Sequence, residues 1–143
     1  MGDIKLEKLW NRQYWKVMIC NFMLFFAFYL LTPLLPLYLD AEFAADKDTI
    51  GIVLSGYVVA TFLVRPFSGF IVDSFNRKMV LTLCFFTFFI CFAGYPGAST
   101  LLMFAIVRTM HGIPFGAATV ANSTVAIDVL PSSRRAEGIG YYG

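Results

Sequence analysis

Two arginines stand inside runs that otherwise hold almost no charge: Arg65, within residues 50–72, and Arg108, within residues 100–129. A guanidinium keeps its proton and presents five donors in a rigid fork. At hydrocarbon depth, where insertion of the charge costs at least about 2.5 kcal/mol, it needs an anion, water or carbonyl groups around it. Such residues hold or pass charge across a membrane; they do not make bonds. Arg65 lies eight residues before Asp73, roughly 12 Å along a helix, so it can either snorkel toward the headgroups or face a transport path. Arg108 falls near the bilayer midplane, and the apolar runs carry acids only at their ends, Asp73 and Asp128. Its counter-charge is therefore expected in a further segment, in an anionic substrate, or in a polar cavity, each of which turns it toward a central path. His111 shares its helix face and titrates near neutral pH when unperturbed, although a hydrogen-bonded packing role fits the same position. Gly112 and Gly116 are spaced for close helix contact beside Pro114. Asn21, Tyr29 and Thr32 are polar groups in the first apolar run and should face protein or a wet cavity.

A second cluster closes a short turn: Gly69, Asp73, Asn76, Arg77 and Lys78. Gly69 would admit another backbone. Asn76 tolerates a positive φ, and Asp73 is placed to accept bonds from free amides at a helix N-terminus. An ordinary cytoplasmic turn with basic flanks has the same residue types.

The elements that must position these groups are membrane helices. Of 143 residues, 59% are hydrophobic, 17% aromatic and only 14% charged, which excludes a soluble domain and a disordered chain. A net charge of +2 with scattered basic residues argues against nucleic acid as a partner. After a tail of residues 1–14, spans are expected at about 15–39, 50–72, 79–95 and 100–129, with a turn at 94–97 and a fifth span opening near 138. The first run is too long, and too interrupted by Pro33 and Pro36, for a cleaved signal peptide. Short connections make neighbouring helices antiparallel. Lys5, Lys8, Arg12, Lys16, Arg77, Lys78, Arg134 and Arg135 then share one side against Lys47 on the other, which puts the N-terminus in the cytoplasm. On this count Asp128 lies at the membrane level of Arg77.

Other patterns carry less. Cys20, Cys84 and Cys91 lie within spans and read as small packing residues. One histidine and buried thiols make no metal set, and no nucleophile–base pair or phosphate loop points to an enzyme or a cofactor. Gly138, Gly140 and Gly143 match a dinucleotide-binding spacing but follow no strand, so they are assigned to helix packing. The glycosylation pattern at Asn122 lies inside a span. The phenylalanines at 85, 86, 88 and 89 are expected to face lipid.

The stretch from Gly69 to Lys78 resembles the signature of the major facilitator superfamily, Gly-x-Leu-x-Asp-Arg-x-Gly-Arg-Arg/Lys, with Ile71 for Leu, Ser74 for Arg and Asn76 for Gly. Arg108 with Gly112, and the loop Pro131 to Arg135, resemble that family's fourth span and the loop after it. The resemblance implies an all-α polytopic membrane protein, four antiparallel helices and the start of a fifth, as part of an N-terminal six-helix bundle. It implies a secondary active transporter working by alternating access in a cell membrane, the bacterial inner membrane. Its partners would be a small-molecule substrate, protons, lipid and a C-terminal half beyond this sequence. It also implies a latch in which Asp128 holds Arg77 while Asp73 caps a helix of that half. Arg65 ahead of the motif, and Thr32, Pro33 and Pro36 closing the first span, look most like proton-coupled efflux permeases. A complete four-helix membrane protein, structural or acting as a dimeric miniature transporter, is the rival; against it stands the lack of a mid-span acid.

Overall fold

The computed structural model describes residues 8–143; Lys5 and the rest of the first seven residues of the expected tail lie outside that description. Four long helices follow one another, α1 (Arg12–Phe43), α2 (Lys47–Ser74), α3 (Arg77–Gly97) and α4 (Leu101–Val129), before a 3₁₀ turn at Ser132–Arg134 and a short α5 (Arg135–Tyr142). All four long helices have the length and hydropathy to cross a membrane, and no strand occurs among the described residues. The chain is an all-α, multi-pass membrane protein.

Each long helix starts on a side chain that satisfies an otherwise free amide. Asn11 accepts from Tyr14 at 2.8 Å, Asp46 from Thr49 at 2.8 Å, and Thr100 from Met103 at 3.2 Å. The Thr49 side chain and backbone amide also hold the Asp46 carboxyl below the usual aspartate value. Asn76 differs from the sequence expectation. It sits at φ −63°, and its carboxamide oxygen caps α3 by accepting from Lys78 and Met79. Because α3 begins at the very next residue, two free amides claim the side chain, and a left-handed turn residue has no place there. The turn expected at 94–97 is also replaced by helix, since α3 runs through Gly97. Pro96 there removes one N–H in the last turn, close to the helix end, where the loss is small. The fifth helix starts at Arg135 rather than near 138.

α4 is the central helix and touches α1, α2, α3 and α5. Its interior face is built of small residues, Gly112, Gly116, Ala118 and Ala121, all buried. A Cβ on Gly112 would land on the carbonyl of Tyr57, and one on Gly116 would lie 2.7 Å from the carbonyl oxygen of Thr61. Thr61 donates its hydroxyl to the Gly112 carbonyl at 3.0 Å. From the other side, Gly56 of α2 leaves room for the Thr109 side chain. The α2–α4 seam is thus backbone against backbone, the contact that small-xxx-small spacing permits.

The outer faces carry exposed Ile52, Phe62 and Phe70, each more than 70% accessible, as lipid-facing helices require. Hydroxyls on that surface bond to their own helix: Thr32 to the Phe28 carbonyl, Ser55 to Ile52 and Thr87 to Leu83, at 2.7–2.8 Å. Thr32 therefore faces neither protein nor cavity, because an i−4 carbonyl satisfies it locally. Phe86 and Phe89 are exposed as expected of the aromatic run, but Phe88 is fully buried. It packs on His111 and Phe115 with ring centroids 4.6 and 5.8 Å apart.

Candidate functional site

The sequence-predicted site residues separate into three places. The first is a cleft of about 750 Å³ between α1, α4 and α5, with Arg65 reaching in from α2. Asn21, Tyr29 and Arg65 line it, together with Phe25, Thr119 and Ser123. The levels agree: Arg65 lies eight residues from Asp73, Asn21 nine from Arg12, and Thr119 nine from Asp128. Counted from one end of the bundle, each is about 12–14 Å deep. Tyr142 closes the α5 side. Its hydroxyl accepts from Asn122 at 2.8 Å and lies 3.4 Å from the Ser123 hydroxyl. Asn21 in turn donates to the Tyr142 carbonyl at 3.4 Å. Tyr14 anchors the root of α5 by donating to the Gly138 carbonyl at 2.6 Å.

The second place is the interior between α2, α3 and α4, where Arg108 and His111 are 4% and 1% exposed. The Arg108 guanidinium carbon lies 3.8 Å from the centre of the Tyr57 ring, and one of its terminal nitrogens donates to the Tyr95 hydroxyl at 3.3 Å. Tyr95 also lies 2.8 Å from His111 Nδ1. Tyr95 Oη thus accepts from Arg108 and is shared with His111 Nδ1, the direction of that second bond following from whether Nδ1 or Nε2 carries the imidazole proton. That Nε2, like Arg108 Nε, has no partner among the described residues. Phe88 and Phe92 wall the imidazole, each with its ring centroid 4.6 Å away. The counter-groups of Arg108 are therefore a π face and a phenol of this same chain. Of the three places expected for its counter-charge, a further segment, an anionic substrate or a polar cavity, each turning it toward a central path, none is what surrounds it here: Tyr57 and Tyr95 on neighbouring helices enclose it, and it does not line the cleft. Gly112 and Gly116 likewise face α2 and not the cleft.

The third place is the end of the bundle where α2 stops and α3 starts. Arg77 pairs with Asp128 at the foot of α4 and lies 3.5 Å from Asp73. The Arg77 and Asp128 side chains are 39% and 40% exposed, so solvent screens the pair strongly. It fixes position more than it adds strength. Asp73 is 73% exposed and keeps most of its acceptor capacity. Lys78 is exposed beside them. Gly69 meets nothing within 4 Å, so its bare face is not used by any described helix.

Sequence reading missed Tyr57, Tyr95, Thr119, Ser123 and Tyr142. The last three carried a usable signal, hydroxyls one turn apart on α4 and an aromatic in the next helix. The two tyrosines carried none that spacing reveals, because their partners are on other helices.

The Major Facilitator Superfamily model matches residues 17–143. An uncharacterized MFS-type transporter, YqjV of Bacillus subtilis, is 31% identical over 81 residues, covering 57% of this chain and 20% of that protein. The staphylopine export protein of Staphylococcus aureus is 27% identical over 127 residues, covering 89% of this chain and 32% of the relative. The class B tetracycline resistance protein of Escherichia coli is 30% identical over 117 residues, covering 80% and 29%. The chain thus spans about a third or less of the length of these relatives. With a family match across nearly all of its helices, the chain belongs to the Major Facilitator Superfamily.

Proposed function

We propose that this chain is the N-terminal part of a secondary active transporter that moves a small solute by alternating access, driven by protons, with its N-terminus in the cytoplasm of a bacterial inner membrane. The observation that carries the reading is the cleft: an aromatic-walled, arginine-bearing space about 12–14 Å from one end of the bundle, between α1, α4 and α5. A facing set of helices would complete it. The basic end of the bundle, with Lys16, Arg77, Lys78, Arg134 and Arg135 against Lys47 at the other, supports the orientation. The relative named as an exporter supports an outward direction.

On this reading Arg77 is held by Asp128 so that exposed Asp73 caps a helix of the remaining half and keeps the cytoplasmic side shut. Gly69 gives that helix room, Asn76 caps the start of α3, and Lys78 adds positive charge at the same level. Arg108 and His111 couple protons to the movement from within the bundle, where a half-satisfied polar network is the part most ready to rearrange.

The test uses the full-length protein, with the helices beyond Gly143 that the reading requires, in proteoliposomes loaded with a pH indicator. With a pH gradient imposed, tetracycline, ethidium and indole-3-acetate are added in turn. At least one should evoke proton movement, and that movement should fall at least about fivefold in Arg108→Gln. Absence of evoked proton movement with all three would contradict the proposal.

A further inference from the structure

The lining of the cleft says which charge its occupant carries. Among the described residues, Arg65 is the one charged side chain in that lining. It forms no ion pair there; the acids nearest in level, Asp73 and Asp128, stand at the helix ends and are engaged with Arg77. Arg65 is exposed, and its fork is shaped for the two oxygens of a carboxylate, sulfonate or phosphate. The polar groups around it, Asn21, Thr119 and Ser123, are neutral, so a cation entering the cleft would meet a repelling charge and no acid among the described residues. The same lining holds aromatic pairs of α1, Phe22 with Phe26 at 5.7 Å and Phe25 with Tyr29 at 6.4 Å between ring centroids. Apolar walls with one fixed charge, in a volume of about 750 Å³, suit a small amphipathic molecule.

We propose that the cleft takes an organic anion whose acidic group pairs with Arg65 and whose flat apolar body packs on the aromatic face of α1. The inference rests on the carrier reading above and adds the substrate class to it. Arg65 is then a specificity residue, and its guanidinium replaces the water that the anion leaves behind. The competing occupant is a carboxylate of the facing half, which would neutralise Arg65 before any solute arrived.

The experiment measures binding to the purified full-length protein by equilibrium dialysis with two matched pairs: indole-3-acetate against indole-3-acetamide, and naphthalene-2-sulfonate against naphthalene-2-sulfonamide. At least one acid should bind about tenfold or more tightly than its amide. Arg65→Gln should erase that preference without loss of the folded species in size exclusion, and Arg65→Lys should retain part of it. Equal binding within both pairs, no binding of either acid, or a preference that survives Arg65→Gln would overturn the proposal. Should Arg65→Gln fail to fold, the wild-type comparison and Arg65→Lys still decide. Gradient-driven movement of the amides without any acid preference removes the anion and leaves the carrier. An acid that binds through Arg65 but that no gradient moves removes the carrier and leaves the site.

Discussion

Arg108→Met in the full-length protein should melt at or above the wild-type temperature while losing most of its gradient-driven flux. The guanidinium is 4% exposed and has a ring face and one phenol for company. A desolvated cation–π contact contributes about 2 kcal/mol, and a hydrogen bond to a charged group about 1.5–3 kcal/mol. Against these stands a desolvation cost of several kcal/mol, and Nε is left without a partner among the described residues. The two sides nearly cancel, so an unbranched apolar side chain of similar length should hold the bundle as well. Tyr95 would keep its bond to His111, so no donor is orphaned by the change. The proposed coupling role gives such a residue a reason to be there and predicts a loss of flux of about 5- to 150-fold per folded molecule. A fall in melting temperature with flux per folded molecule unchanged would make Arg108 a packing residue only.

Gly112→Leu should abolish the folded protein. The first atom added would collide with the Tyr57 carbonyl oxygen, a backbone group that no rotamer change can move. Widening the α2–α4 seam to admit it would break the Thr61 bond to the Gly112 carbonyl and separate Gly116 from Thr61. Overpacking costs about 1–3 kcal/mol even where neighbours can yield, and here they are backbone. Gly112→Ala should therefore already lower the yield of monodisperse protein in fluorescence-detected size exclusion, and the leucine variant should leave almost none. Gly51→Ala is the control. It meets nothing within 4 Å and replaces a residue that weakens helices by about 0.5–1 kcal/mol, so it should be neutral or mildly stabilising. Equal yields for Gly112→Leu and wild type would contradict the seam described here.

The helices were legible because an uncharged run of membrane length has one stable solution, with every backbone group bonded within its own segment. Their starts were legible in part. Asn11, Asp46 and Thr100 are ordinary caps, but Asn76 serves equally as a cap or as a left-handed turn residue, and only the immediate start of α3 decides between them. Pro96 with Gly94 and Gly97 reads as a break. The helix persists because a proline in its final turn removes little, and hydrocarbon penalises an early end.

The site was less legible. Asn21, Tyr29 and Arg65 stood out as polar groups in apolar runs, and they meet in one cleft. Arg108 stood out for the same reason, yet an acid is the partner that its charge suggests, and the chain supplies a ring face and a phenol instead. Tyr57 and Tyr95 are 51 and 13 residues away in sequence, on separate helices, and nothing in local spacing marks a tyrosine as the partner of a buried cation. Asp128 and Arg77 could be matched by membrane level, since both sit where helices leave the bilayer and depth there follows from counting residues.

The central claim is that the cleft opens in turn to each side of the membrane, with Asp73 holding the cytoplasmic side. Phe26 lines the cleft and is 56% exposed, so Phe26→Cys, in full-length protein whose native cysteines are replaced, gives a reporter in the path. Its reaction with a membrane-impermeant maleimide is followed in right-side-out and in inverted vesicles, with and without Asp73→Asn. Labelling from both sides is expected in the parent, with a shift toward the cytoplasmic side in Asp73→Asn; labelling from one side only, unmoved by Asp73→Asn, would contradict alternating access through this cleft.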